Sequence, residues 1–144
     1  MYGNDRTELR EIFFRAWRKH RMNQPLEGIE KTIVEAALRH PEYHRVLDAP
    51  DAHEDRDYLP ALGESNPFMH LSLHIAIEEQ LSIDQPPGAR DCFLRLMKQL
   101  PDPHDAQHKM MECLAETVWH AQQHGHALDE SDYGACLQKL GRSA

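Results

Sequence analysis

Two stretches of the sequence repeat one spacing of histidine and glutamate. Residues 70–78, HLSLHIAIE, and residues 104–112, HDAQHKMME, both read His-x-x-x-His-x-x-x-Glu. On an α-helix, residues four apart are neighbours with Cβ atoms about 5–6 Å apart, so two such histidines can bind one ion. Each stretch therefore predicts a helical face that carries two imidazoles and a carboxylate.

Two such helices, packed antiparallel with the motifs facing each other, would supply a complete set of metal ligands. The predicted ligands are the histidines and glutamates of the two motifs and of the turn after the second: His70, His74, Glu78, His104, His108, Glu112 and Glu116. Imidazole and carboxylate groups bind transition metals, and we expect iron, manganese or zinc in a mono- or dinuclear site. With a redox-active metal, bridging carboxylates would also permit oxygen or peroxide chemistry.

The same histidines have a structural alternative. An imidazole that faces the core costs about 1–3 kcal/mol if its nitrogens stay unpaired, and a carboxylate or a backbone carbonyl can pair them without a metal. In that case the protein is a non-enzymatic interaction module whose acidic surface binds a basic partner protein. Metal analysis of protein purified without a histidine tag separates these two hypotheses.

The sequence does not match two known metal-binding motifs, those of zinc proteases and of ferritin-like di-iron proteins. Zinc proteases need a glutamate directly after the first histidine, and this position holds Leu71 or Asp105. Ferritin-like di-iron proteins need Glu-x-x-His on two helices, and the sequence contains no such spacing. The sequence therefore predicts a more histidine-rich kind of site.

Other histidines receive separate interpretations. His40 and His44 form a third pair at the same spacing, but a proline lies between them. We expect them to cap a helix end and to pair with acids, with a separate ligand role as the alternative. We expect His120, His124 and His126 to face solvent, although helical drift leaves His120 as an alternative ligand.

The cysteines and tryptophans are expected to be structural. Cys92, Cys113 and Cys136 are odd in number and form no CxxC pair, so we predict neither a disulfide framework nor a zinc ribbon. Buried, reduced thiols in a cytoplasmic protein suit this pattern. Trp17 and Trp119 are predicted to lie in the core.

Composition limits the partners. The chain of 144 residues has a formal net charge of -8, which argues against nucleic acid or an anionic membrane as a partner. Its N-terminus is charged too early for a secretory signal, and no apolar run approaches the length of a membrane span. We therefore expect a cytoplasmic protein.

The periodicity of apolar residues predicts an all-α protein. We expect a single domain over residues 1–144, a compact helical bundle of about five to six helices with a long crossover loop between residues 40 and 64. The predicted helices are, approximately, 5–21, 26–40, 67–82, 87–100, 103–124 and 130–140. Proline and an Asn or Asp cap mark the starts of the helices at 67 and 103.

Three segments carry a resemblance to a known family. They are HPEYH, NPFMHLSLHIAIEEQLSIDQPPGAR and HDAQHKMMECLAETVWHAQ. Through nearly its whole length, the chain resembles the uncharacterised bacterial "domain of unknown function 1841" family. The resemblance implies a compact bacterial cytosolic protein, and it implies no activity, ligand or substrate. The functional prediction therefore rests on the chemistry of the residues.

Overall fold

The described chain is all-α, as the apolar periodicity predicts. A computed structural model describes residues 2–58 and 66–143 and contains no β-strand in these ranges. The helices, in chain order, are α1 (Tyr2–Arg21), α2 (Ile29–Leu38), a 3-10 helix (Pro41–Tyr43), α3 (His44–Leu47), α4 (Pro50–His53), α5 (Pro67–Ile83), α6 (Ala89–Met97), α7 (Pro103–His124) and α8 (Glu130–Ser143).

Side-chain caps define the starts of the long helices. The Asn66 side-chain oxygen accepts a hydrogen bond from the backbone N–H of Phe68 at 2.9 Å. Asp102 accepts from the backbone N–H of His104 at 2.9 Å, and Asp129 caps α8 in the same way. Such caps satisfy N–H groups that have no partner within the helix. The predicted starts of α5, α7 and α8 are confirmed.

The connection between α2 and α5 contains more helix than the sequence predicts. The 3-10 helix, α3 and α4 all lie within it, and prolines occupy the first positions of two of them, Pro41 and Pro50. The number of helices in the described chain therefore exceeds the predicted five to six. Helix α2 begins at Ile29, later than predicted, because Gly28 before it has a φ of 56°, outside the helical region. Residues 59–65 of the predicted crossover loop lie outside the described residues.

The chain divides into two compact units, Met1–Ile75 and Ala76–Ala144, and the single domain stays a prediction. In the first unit, aromatic side chains of α1 pack against α5. Phe68 meets Phe13 and Phe14 edge-to-face, with ring centroids 6.0 and 5.4 Å apart. Full burial of such a side chain stabilises the fold by about 1.5–3 kcal/mol. Trp17 is 1% exposed, so its predicted core position is confirmed.

A polar contact fastens the end of α3 to α1 in the same unit. The Trp17 indole N–H donates to Asp48 at 2.7 Å, and the Arg21 guanidinium donates to both carboxylate oxygens at 3.2 and 3.0 Å. Burial raises the pKa of Asp48, but these hydrogen bonds outweigh it, so the pKa lies below its usual value.

In the second unit, α6, α7 and α8 pack together. A disulfide joins Cys113 of α7 to Cys136 of α8, while Cys92 is a buried free thiol. The prediction of reduced thiols is therefore wrong for two of the three, because the two partners lie 23 residues apart and meet only through helix packing. Trp119 is 57% exposed, so its predicted core position is also wrong.

None of the helices in the described part of the chain combines the length and the apolar character that crossing a membrane requires.

Candidate functional site

His40 lies buried directly after α2, with 2% of its surface exposed. Its Nδ1 donates a hydrogen bond to the backbone carbonyl of Ala36 at 2.8 Å. A carbonyl oxygen only accepts, so Nδ1 carries a proton and Nε2 of the neutral ring presents a lone pair. Metal-binding histidines are commonly fixed in this way by a carbonyl on the nitrogen that does not bind the metal.

His44 also bonds to a backbone carbonyl at the end of α2, that of the residue after Ala36. Its Nε2 lies 2.8 Å from the carbonyl of Ala37, and its ring packs on Trp17 with centroids 4.5 Å apart. Both histidines thus satisfy carbonyls at the end of α2, which confirms the predicted capping. The carboxylate near His44 is Asp48.

Helix α5 brings His70 and His74 to His40. The Nε2 atoms of His40 and His70 lie 3.0 Å apart, and because Nε2 of neutral His40 has no proton, His70 donates this hydrogen bond. His74 has no exposed surface, and its ring centroid lies 5.1 Å from that of His40. The ligand atoms of His40 and His74 lie within 4.8 Å of each other.

Ring spacing shows which of these histidines suit one ion. Two imidazoles bound at ~2.1 Å in adjacent coordination positions have ring centroids about 4.5–5.2 Å apart. His40 meets this condition with His74 at 5.1 Å and with His70 at 4.7 Å. The centroids of His70 and His74 are 6.4 Å apart, beyond that range. The convergence therefore depends on His40, which the sequence predicts as a helix cap although it repeats the motif spacing with His44.

In the second unit, the motif on α7 has the geometry that its spacing predicts. The rings of His104 and His108 have centroids 4.1 Å apart, and both side chains are half-buried. Their ligand atoms also lie within 4.8 Å of each other. At 4.1 Å the centroids lie slightly closer than the roughly 4.5–5.2 Å of two rings on one ion, so this pair can bind one ion from a single helical face after a small rotation of the rings.

The carboxylates predicted as ligands are more exposed than the histidines of the two motifs, except for Glu78. Glu112 is 71% exposed, with an oxygen 4.0 Å from Nζ of Lys109, and Glu116 is also exposed. Each step of four residues turns the side chain by about 40°, which carries these positions away from the face of His104. Glu78 is half-buried on α5. Ligation by the three glutamates stays a prediction from the spacing.

Comparison with known proteins agrees with the resemblance seen in the sequence. A family model matches residues 5–139, which is nearly the whole chain. No curated protein and no solved structure matches the sequence. Because the family match extends over almost every described helix, the chain belongs to the family Domain of unknown function (DUF1841).

Proposed function

We propose that this protein binds one first-row transition-metal ion through four histidines: His40, His74, His104 and His108. The observation that carries the proposal is the buried pair of His40 and His74, whose ring centroids lie 5.1 Å apart. Four histidines of this kind could hold a metal ion, since imidazole nitrogens are common transition-metal ligands. The proposal is for a mononuclear site.

The environment of His40 supports a metal over a purely structural role. The Ala36 carbonyl fixes the proton on Nδ1 and leaves the lone pair of Nε2 directed toward the other rings. A structural histidine needs only a hydrogen-bond partner on each nitrogen, which Ala36 and His70 already supply, and it does not require the further buried imidazole of His74. The arrangement of several imidazoles around one lone pair is instead typical of a site that supplies donors to a cation.

The ligand type bears on the identity of the metal. Imidazole nitrogens suit zinc, iron, nickel and copper, whereas manganese prefers sites rich in carboxylate and water. The proposed group contains no carboxylate, so zinc and iron fit it better than manganese. The proposal is a binding site and does not include the oxygen chemistry that bridging carboxylates would support.

His70 has a supporting position in this proposal. It hydrogen bonds to Nε2 of His40, the atom that would bind the ion. When a metal binds Nε2 of His40, it takes the place of the hydrogen bond from His70. His70 acts as a positioning residue that holds the His40 ring before the ion arrives.

An exposed groove in the second unit favours the alternative, an interaction module. Ile83 and Leu128 are 65% and 42% exposed and line one groove of about 250 Å³. Glu79 and Glu130 also line it. An apolar groove with acidic residues suits a basic peptide that carries an apolar side chain.

Elemental analysis of variants tests the proposal. Tag-free protein is supplied with zinc or iron, dialysed, and measured for metal per chain. We expect about one ion per chain in the natural protein and a loss of most of it in His40→Phe and His74→Phe. His44→Phe is the matched control, because His44 caps the same helix end but is outside the proposed group. Metal-free natural protein after this treatment would instead support the interaction module.

A further inference from the structure

A second group of histidines lies at the C-terminal end of α7. His120, His124 and His126 are all exposed, as the hydrophilic sequence around them predicts. The ring centroids of His120 and His124 lie 5.3 Å apart, and those of His124 and His126 lie 6.0 Å apart. Helix α7 rises about 18 Å between His108 and His120, so the two groups on this helix cannot bind the same ion.

The end of the helix brings His126 into this group. Gly125 has a φ of 66°, in the left-handed region that favours glycine. The backbone N–H of His126 then donates to the carbonyl of Ala121 at 3.0 Å, so the chain turns back over the last helical turn. This turn places the ring of His126 in a stack beside His124.

Two of the three rings have the spacing of a cation site. His120 and His124 are four residues apart, and their centroid distance of 5.3 Å is close to the ~5.2 Å expected for two imidazoles on one tetrahedral ion. Nδ1 of His126 donates to the carbonyl of Ala127 at 2.7 Å, but its ring centroid lies 6.0 Å from that of His124, too far for the two rings to share one ion. The negative end of the helix dipole also favours a cation here.

We infer that His120 and His124 form an exposed chelating site for a divalent transition-metal ion of the copper, nickel or zinc type, with the ring of His126 stacked beside it. Water completes the coordination, because both side chains are open to solvent. An ion held in this way exchanges readily with the solution. The site is independent of the one proposed above and uses none of its ligands.

Trp119 provides a direct reporter of this site. It is 57% exposed, and its ring centroid lies 5.7 Å from that of His120. Bound Cu²⁺ quenches the fluorescence of a nearby indole, so titration of tag-free protein with copper sulfate at pH 7.5 should give saturable quenching. Trp119→Phe should remove this quenching component, which assigns the signal to the reporter.

Substitution of His120 and His124 tests whether these two residues bind the copper ion. In the double variant His120→Gln/His124→Gln, quenching should require at least about 100-fold more copper, because both rings of the chelate are lost. Glutamine is a good helix former, so the exposed end of α7 should stay folded, as circular dichroism would verify. Gln123→Ala, an exposed change in the same turn, is the matched control and should keep the natural midpoint.

A further variant separates this site from the buried one. His40→Phe should leave copper quenching unchanged, whatever its effect on metal retained after dialysis. The inference is overturned if the natural protein shows no saturable quenching. It is equally overturned if the His120→Gln/His124→Gln variant titrates with the natural midpoint, or if His40→Phe abolishes the quenching.

Discussion

The Nε2 atoms of His40 and His70 lie 3.0 Å apart, between a residue that follows α2 and a residue of α5. The Ala36 carbonyl takes the only proton of neutral His40, so the proton between the two rings belongs to His70. With His40 in the neutral form that binds a metal, its Nε2 lone pair is the acceptor in this contact.

His70→Phe should separate a positioning role from a ligand role. The variant loses one neutral hydrogen bond, so without metal its free energy of unfolding should fall by about 1 kcal/mol. Metal content after dialysis should stay near that of the natural protein, because the proposed ligands are intact. Denaturant unfolding and elemental analysis check both parts. A loss of metal as large as that in His74→Phe would make His70 a ligand.

Metal should raise the unfolding temperature at pH 7.5. An ion that binds only the folded state stabilises it by about 2.7 kcal/mol when its concentration is 100 times Kd. The gain should shrink as the pH falls through about 6.5, where protons compete for free imidazole, and it should vanish near pH 5. Thermal scans with zinc or with a chelator measure this. An equal metal-dependent shift at pH 5 and pH 7.5 would argue against imidazole ligands.

Asp48→Asn should destabilise the protein by about 1 kcal/mol at pH 7, because the charged acceptor of Trp17 and Arg21 is lost. The folded-state pKa of Asp48 is lowered, so its contribution is present above the unfolded-state pKa of about 3.9 and is lost as the pH falls through the folded-state value. The difference from the natural protein should therefore persist from pH 7 to about 5 and shrink below about 4. Asp51→Asn, an exposed neighbour, is the control and should show no comparable loss in urea unfolding.

Reduction of the disulfide should lower the free energy of unfolding. A cross-link between Cys113 and Cys136, 23 residues apart, stabilises by about 3 kcal/mol through loss of freedom in the unfolded chain. Urea unfolding with and without a reductant measures the difference. In Cys136→Ser the reductant should have no effect. A single alkylated cysteine in unreduced, unfolded protein would identify Cys92 as the free thiol, whereas three would show that the bond is absent.

The sequence predicts those parts of the fold that local chemistry determines. Asn66 and Asp102 mark the starts of α5 and α7, and the structure confirms both caps. The disulfide and the contact of His40 with His74 depend on packing between residues that are 23 and 34 positions apart, and no local pattern reports such distances. The prediction that Trp119 is buried is wrong because the helices that pack against α7 determine which of its apolar side chains are covered, and the local sequence does not report that packing.

The repeated spacing selects three histidines that lie in close histidine groups, His74, His104 and His108, and their role as ligands stays a prediction. It also included Glu112 and Glu116, which are exposed, because a step of four residues drifts by about 40° and a longer run leaves the face. His40 is predicted to cap a helix end, with a ligand role as the alternative, and the structure shows that one ring both caps α2 and meets α5.

X-ray absorption of protein loaded with zinc and then dialysed tests the central claim most directly, because dialysis removes the exchangeable ion of the exposed histidines and the spectrum counts the atoms bound to the ion that remains. We predict a shell of four nitrogen ligands at about 2.0–2.1 Å with the scattering pattern of imidazole. In His40→Phe this shell should lose one imidazole or the ion itself, and in His44→Phe it should be unchanged. A spectrum dominated by oxygen ligands, or one identical in His40→Phe and the natural protein, would contradict a metal site built on His40 and His74.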